Sequence, residues 1–139
     1  MALSVEDRLN LMDLVARYAE CIDSGDAECY ARLFAPDGVL EARSHTAHGR
    51  AEIQDWVQGL FDENRAGKQS KLKHFLGLPV IRGDGDHATV RTYVTIPKQT
   101  ESGEIVINMA GTYFDDCVRL DGEWLFAKRT IAIEFTRDE

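Results

Sequence analysis

Two residues that could carry acid–base chemistry, Asp23 and His74, lie where the surrounding pattern predicts buried side chains. Asp23 follows apolar residues spaced three and four apart, which indicates a helix, and it projects between Met12 and Ala16 inside the predicted apolar arc. The alternation around His74 predicts a strand with five side chains on one face: Leu72, His74, Leu76, Leu78 and Val80. A charge on a buried face is costly unless it is paired or used, so both placements call for a reason.

The types of these two residues suggest a general base and its orienting partner. Neutral imidazole, with a usual pKa of about 6.5, can take a proton at physiological pH, and a carboxylate beside it stabilises the imidazolium that forms. Such a base could remove a proton from an acidic C–H group, after which hydroxide or halide leaves or a double bond moves. The alternative is structural: Asp23 binds backbone N–H groups at the end of its helix, and His74 is a hydrogen-bonded core histidine.

Three further residues are candidates for contact with a substrate. Tyr18 lies on the buried arc of the same helix and could offer its phenol to a substrate oxygen. Arg129 could point inward and hold an anionic or electron-rich group, although a salt bridge to Asp115 or Asp116 is the favoured alternative. The two aspartates are otherwise expected on the outer surface or at a subunit interface. Trp56 could form part of a substrate wall, with core packing as the alternative.

The composition predicts a single globular domain over residues 1–139. Of the 139 residues 44% are hydrophobic and 29% charged, with only three prolines, which is typical of a folded domain. A net charge of −8 and the lack of a basic run argue against nucleic acid as a partner. The N-terminal segment does not have the pattern of a signal peptide, and no apolar run is long enough to span a membrane, so we expect a cytoplasmic protein.

The cysteines and histidines do not follow metal-binding spacing. Cys21, Cys29 and Cys117 form no CxxC motif, and we predict reduced thiols. His45 and His48 are the one close histidine pair, in a segment that we predict to be an exposed loop. We therefore expect neither a metal site nor a cofactor.

Capping signals divide the first part of the chain into three helices. Ser4 is placed to cap the first helix, which should continue to Ile22 or Asp23 and stop at Gly25. Asp26 can cap a short second helix through Phe34. The third helix follows from the apolar spacing of Ile53, Trp56, Val57, Leu60 and Phe61 and should end at about 64–67.

The remaining elements are predicted strands. A turn at residues 35–38 should lead into a strand at 39–43, and turn sequences at 83–86, 101–103 and 121–122 join a meander. Its strands are that of His74 and those at about 88–97, 105–120 and 124–135. The result is an α+β domain in which about three helices cover the concave face of a strongly bent antiparallel sheet, and the mouth of this cone is a natural ligand site.

Several segments resemble SnoaL-like domains of the NTF2-like superfamily and, within that group, scytalone dehydratase. They are YAECIDSGDAECYARLFAPDGVLEAR, KHFLG, the Ile96-Pro97 pair and RLDGEWLFAKR. The resemblance spans about Leu9 to Phe135 and implies a cone-shaped NTF2-like barrel. It places the acid–base pair of the dehydratase on Asp23 and His74.

Other positions of that active site differ in this chain. The second histidine of the dehydratase falls on Lys98, its two carbonyl-holding tyrosines fall near Ile22 and Ala42, and an asparagine falls near Tyr113. The resemblance therefore implies a cofactor-independent lyase of the dehydratase type, or an isomerase, acting on a small cyclic or aromatic molecule other than scytalone. A non-catalytic ligand-binding or assembly module and a polyketide-cyclase-like enzyme are the alternatives, since this fold serves many functions.

The strand at 105–120 carries apolar residues on both predicted faces. One row contains Val106, Ala110, Phe114 and Val118, and the other contains Ile105, Ile107 and Met109. The helices can cover only one face, so we expect a homodimer in which a second copy covers the other.

Overall fold

Three helices and a single bent sheet form the fold of the computed structural model, which describes residues 1–66 and 72–137, without the side chains of 64–66. The helices are α1 (Val5–Ser24), α2 (Ala27–Arg32) and α3 (Gly49–Ala66). The strands are β1 (Phe34–Ala42), β2 (His45–His48), β3 (Phe75–Leu76), β4 (Val80–Asp84), β5 (His87–Gln99), β6 (Ile105–Leu120) and β7 (Glu123–Thr136). The predicted α+β fold is confirmed.

The sheet runs in the order β2-β1-β7-β6-β5-β3, and β4 also pairs with β5. Every pair is antiparallel except β1 with β7, which run parallel. Hairpin turns enforce antiparallel pairing between consecutive strands, whereas β1 reaches β7 only through the rest of the chain. Local turn signals could not reveal this parallel pair.

Helix α1 begins at its predicted cap. The Ser4 hydroxyl accepts a hydrogen bond from the Asp7 backbone N–H, and the Asp7 carboxylate accepts one from the Ser4 backbone N–H. The Asp7 carboxylate also accepts hydrogen bonds from Trp124 at 3.0 Å and Arg119 at 2.7 Å, which join the start of the helix to β6 and β7. Gly25 ends α1 in the left-handed conformation with φ of 73°.

Three predictions in the next segment are wrong. Helix α2 ends at Arg32, and Phe34 already belongs to β1. Residues 35–38 form a wide bulge within β1, because the register with β7 moves from Phe34 opposite Phe126 to Val39 opposite Lys128. The predicted loop at 45–48 is the strand β2, since it pairs along β1 and buries Ala47.

The continuous strand predicted around His74 is also wrong. Strand β3 contains only Phe75–Leu76, and the separate strand β4 starts at Val80. Pro79 has no N–H to give to a strand ladder, which explains the interruption. Leu72 and Leu76 pack against the core as predicted, but Leu78 is 88% exposed and Val80 49% exposed.

β-Bulges, in which one strand has an extra residue relative to its partner, bend the sheet and shift the alternation of inward and outward side chains. Three lie in β6 and β7: Asn108, Ala127 and Glu134. The bulge at Asn108 puts Phe114 and Ile107 on the same outer face, although strict alternation predicted opposite faces. Strands β5 to β7 thus curve around the core.

The cysteines differ from the prediction of reduced thiols. A disulfide joins Cys21 at the end of α1 to Cys29 in α2, while Cys117 is free and buried. The turn at Gly25 folds α2 back against α1 and brings the two Cα atoms to 5.7 Å, a normal spacing for a disulfide. In the part of the chain described, no helix has both the length and the apolar character that crossing a membrane requires.

Gly111 should be essential for the close pairing of β6 and β7. A Cβ atom here would collide with the Ala132 carbonyl oxygen and the Ile133 Cα. We expect Gly111→Ala to lower the free energy of unfolding by about 1–3 kcal/mol or more. Gly59→Ala is the control, because a Cβ in this part of α3 meets no atom within 4 Å. It should raise stability by up to about 1 kcal/mol. Equal losses in thermal or urea melts of the two variants would contradict this account.

The outer face of the sheet supports the expectation of a homodimer. Tyr93 is 71% exposed, Ile107 62% and Phe114 41%, and the strand register places all three on this face. A second copy would remove this apolar surface from water. Light scattering at micromolar concentration should give about twice the chain mass of 15.6 kDa, and charged substitutions at Tyr93 and Ile107 should reduce it to the single mass. A wild-type monomer would show the expectation to be wrong.

Candidate active site

A cavity of about 550 Å³ opens between α1, α3 and the inner face of the sheet. Its size is that of a small-molecule site. Apolar walls come from Ile22, Leu60, Leu72, Ile96, Ile131 and Ile133. Polar groups come from Tyr18, Arg43, His45, His74, Asn108 and Tyr113. Arg43 and His45 are exposed, so this end of the cavity meets solvent.

The structure brings Asp23 and His74 together at this cavity. Asp23 Oδ1 lies 2.6 Å from His74 Nδ1, and Oδ2 accepts the His74 backbone N–H at 3.0 Å. The two side chains are 15% and 5% exposed. One carboxylate therefore fixes both the backbone and the ring of His74.

This geometry determines which ring nitrogen is available to a substrate. A carboxylate can only accept, so in the neutral ring the proton resides on Nδ1 and the lone pair on Nε2. Among the described residues Nε2 has no hydrogen-bond partner, and the ring lines the cavity. Nε2 is thus the ring nitrogen that is available to a molecule in the cavity.

Asp23 reaches this position from the border of the buried face of α1. Asp23 projects between Met12 and Ala16 as predicted, but Met12 is 41% exposed and Ala16 is also exposed, so the prediction that this direction lies inside the apolar arc is wrong. Asp23 lies in the last turn of the helix, beside the buried Ile22. A border position lets the carboxylate leave the core and meet the segment before β3.

Tyr18 lines the cavity, but its hydroxyl is engaged inside the core. It lies 2.5 Å from the hydroxyl of Tyr30, and both rings are fully buried. Burial raises the pKa of Tyr18 well above its usual range, so this phenol stays protonated. The predicted contact of Tyr18 with a substrate is therefore confined to its ring.

Arg129 points inward but forms the salt bridge that was the favoured alternative. Its Nε and Nη2 donate to the two carboxylate oxygens of Asp115 at 2.6 and 2.7 Å. The guanidinium lies 4.0–4.3 Å from the centroids of three rings: Tyr18, Tyr113 and Phe126. Burial alone would lower the pKa of Arg129, but the Asp115 charge raises it, and the group stays charged. Arg129 therefore supports the cavity from behind and does not line it.

The prediction for Asp115 is wrong and that for Asp116 is consistent with the structure. Asp115 is 3% exposed and Asp116 is exposed. Alternation along β6 puts Asp115 on the inner face with Tyr113 and Cys117, where Arg129 compensates its charge. Tyr113 was missed for the same reason: it shares the face of β6 with Asp115, and that face was expected to be the outer one.

Trp56 lies half-buried on the cavity wall. Its ring is parallel to that of His45 within 5°, with centroids 6.5 Å apart. The two parallel rings lie at the solvent end of the cavity. The sequence singled out His45 only as a close pair with His48, and Asn108, which lies in a bulge, gave no signal.

Comparisons with known proteins agree with this fold. The SnoaL-like domain family matches residues 3–130. This chain belongs to that family. An uncharacterised protein of Mycobacterium tuberculosis is 27% identical over 128 residues, which cover 90% of this chain and 84% of that protein. An NTF2-like protein with a cystatin-like fold from Novosphingobium aromaticivorans has a TM-score of 0.83 at 30% identity, covering 93% of this chain and 82% of the other.

A candidate scytalone dehydratase from the same organism has a TM-score of 0.79 at 23% identity, covering 97% of this SnoaL-like chain and 89% of the other. At this identity the likeness shows the fold alone. The resemblance found in the sequence is thereby confirmed at the level of family and fold. In the part of the chain described, no three His, Cys, Asp or Glu side chains cluster as metal ligands.

The buried ion pair behind the cavity should be sensitive to the loss of one partner. Asp115→Ala leaves the Arg129 charge buried without a counter-ion and should cost about 3–5 kcal/mol of unfolding free energy. A double variant, Asp115→Leu with Arg129→Met, removes both charges and should recover much of that loss. Chemical denaturation of the wild type, the single variants Asp115→Leu and Arg129→Met, and the double variant measures the coupling. Strict additivity of the single losses would contradict an ion pair that stabilises the fold.

Proposed function

We propose that this SnoaL-like protein is a cofactor-independent lyase that catalyses a dehydratase-type elimination on a small cyclic or aromatic molecule. His74 is the general base and Asp23 its orienting partner. The observation that carries the proposal is the 2.6 Å contact between Asp23 Oδ1 and His74 Nδ1, which leaves Nε2 at the cavity without a hydrogen-bond partner among the described residues. An isomerase would begin with the same proton abstraction.

The reaction can be written with His74 alone as the proton carrier. Nε2 takes a proton from the carbon beside a carbonyl, and the C–H electron pair moves to form an enolate. The enolate then expels a hydroxyl group from the next carbon and forms the double bond. That hydroxyl takes the proton back from the imidazolium and leaves as water. Asp23 stabilises the imidazolium between the two transfers.

The cavity favours a compact substrate. Six aliphatic side chains form most of its apolar wall, and the flat Trp56–His45 pair suits a planar ring at the open end. Ile22 and Ala42 line the cavity where the resemblance to the dehydratase would place tyrosines. These differences favour a substrate other than scytalone.

The dyad can be tested on cyclic β-hydroxy ketones, by water loss and by exchange of the α-proton for deuterium in D₂O. We expect His74→Ala to abolish both and Asp23→Asn to lower kcat by about 10²- to 10⁴-fold, because an amide cannot stabilise the imidazolium. His87→Ala is the matched control, since His87 is exposed on β5 and away from the cavity.

Thermal melts of the three variants separate catalysis from folding. A folded His74→Ala variant that retains wild-type exchange would refute the proposal. Binding of the ketones by the wild type, without exchange or water loss, would instead support a non-catalytic ligand-binding module.

A further inference from the structure

We propose that the hydroxyl of Tyr113 donates a hydrogen bond to a carbonyl oxygen of the molecule in the cavity. The preferred substrates are then compact cyclic or aryl ketones. This inference deepens the proposed function and rests on it for the reaction, but the recognition of a carbonyl can be tested without turnover.

The first argument is the position of the Tyr113 hydroxyl. Tyr113 is 2% exposed and lines the same cavity as His74. Among the described residues its hydroxyl has no hydrogen-bond partner, whereas the hydroxyls of Tyr18 and Tyr30 bind each other. Tyr113 is therefore the buried phenol that remains available to a ligand.

The second argument is the rigidity of the ring. The Arg129 guanidinium lies 4.0 Å from the centroid of the Tyr113 ring, and Tyr18 packs edge-on with centroids 5.5 Å apart. Arg129 is itself held by two hydrogen bonds to Asp115. The backbone is fixed by pairing with Thr92 on β5 and Ile131 on β7. A donor held in this way needs little reorganisation when charge develops on a substrate oxygen.

The third argument is the protonation state. Burial, with Tyr18, Asp115 and Asp23 nearby, raises the pKa of Tyr113 well above its usual range, while Arg129 opposes the rise. The phenol thus keeps its proton and acts as a donor. In the proposed elimination it would hold the carbonyl and then bind more strongly to the enolate oxygen, without giving up its proton.

This assignment also accounts for a difference noted in the sequence. The resemblance to scytalone dehydratase places its carbonyl-holding tyrosines near Ile22 and Ala42, and neither side chain can donate. Tyr113, which falls near an asparagine of that enzyme, supplies a phenol from another strand. Compared with that dehydratase, this site lacks hydrogen-bond donors at two positions and has one at a third.

The test uses 1-tetralone and 2-cyclohexenone, each with a ¹³C-labelled carbonyl, bound to the full chain. Infrared difference spectra report the carbonyl stretch, which falls when the oxygen accepts a hydrogen bond. We expect the bound carbonyl of the wild type to absorb well below its frequency in an apolar solvent. Tyr113→Phe should return the stretch most of the way to that frequency and weaken binding by about tenfold.

Tyr93→Phe is the matched control, because Tyr93 is 71% exposed on the outer face. It should leave the frequency and the affinity unchanged. A melting temperature of Tyr113→Phe near that of the wild type shows that the variant is folded. His74→Ala should retain the wild-type carbonyl frequency, which separates carbonyl recognition from proton transfer. A wild-type frequency in folded Tyr113→Phe, or failure of both ketones to bind the wild-type protein, would overturn the inference whatever the result of the exchange experiment.

Discussion

The two hydrogen bonds of the Asp23 carboxylate connect the helices of this SnoaL-like protein to the edge of its sheet. One oxygen binds the ring of His74 and the other binds its backbone N–H, across 51 positions of sequence. A partly buried carboxylate is stable here only because both oxygens have donors. The same bonds orient the imidazole, so the feature that closes the fold at this edge also directs Nε2 into the cavity.

Two buried pairs of charged or polar side chains lie near the cavity, and only one of them has an atom that lines it. The Arg129 guanidinium of the Asp115–Arg129 pair lies against three aromatic rings, and neither residue lines the 550 Å³ cavity, so the contribution of the pair there is to hold Tyr18 and Tyr113 in place. The Asp23–His74 pair ends in a nitrogen that lines the cavity. Charge and burial alone would not distinguish the two pairs. They differ because a ring nitrogen of His74 lines the cavity, whereas no atom of Asp115 or Arg129 does.

Local signals were sufficient for the parts of the fold that depend on neighbouring residues. The Ser4 cap, the Gly25 stop and the periodicity of α1 predicted that helix closely, and the turn at 121–122 predicted the hairpin of β6 and β7. Distant pairings were not predictable. The bulges at Asn108 and Ala127 shift the alternation of inward and outward side chains in β6 and β7. Strand β2 is defined by its pairing with β1. The pairing of Asp23 with His74 was expected from the family resemblance and from two local patterns, an apolar arc and a continuous strand, that the structure corrects. Tyr113 interrupted no such pattern.

The central claim is that Asp23 holds the neutral His74 ring with its proton on Nδ1. Long-range ¹H–¹⁵N correlation spectra of the wild-type protein, at a pH where imidazoles are neutral, report the tautomer of each of the four histidines directly. The account predicts a protonated Nδ1 and a deprotonated Nε2 for His74, and a loss of this preference in Asp23→Asn. An Nε2-protonated ring in the wild type, or the same tautomer in both proteins, would contradict it.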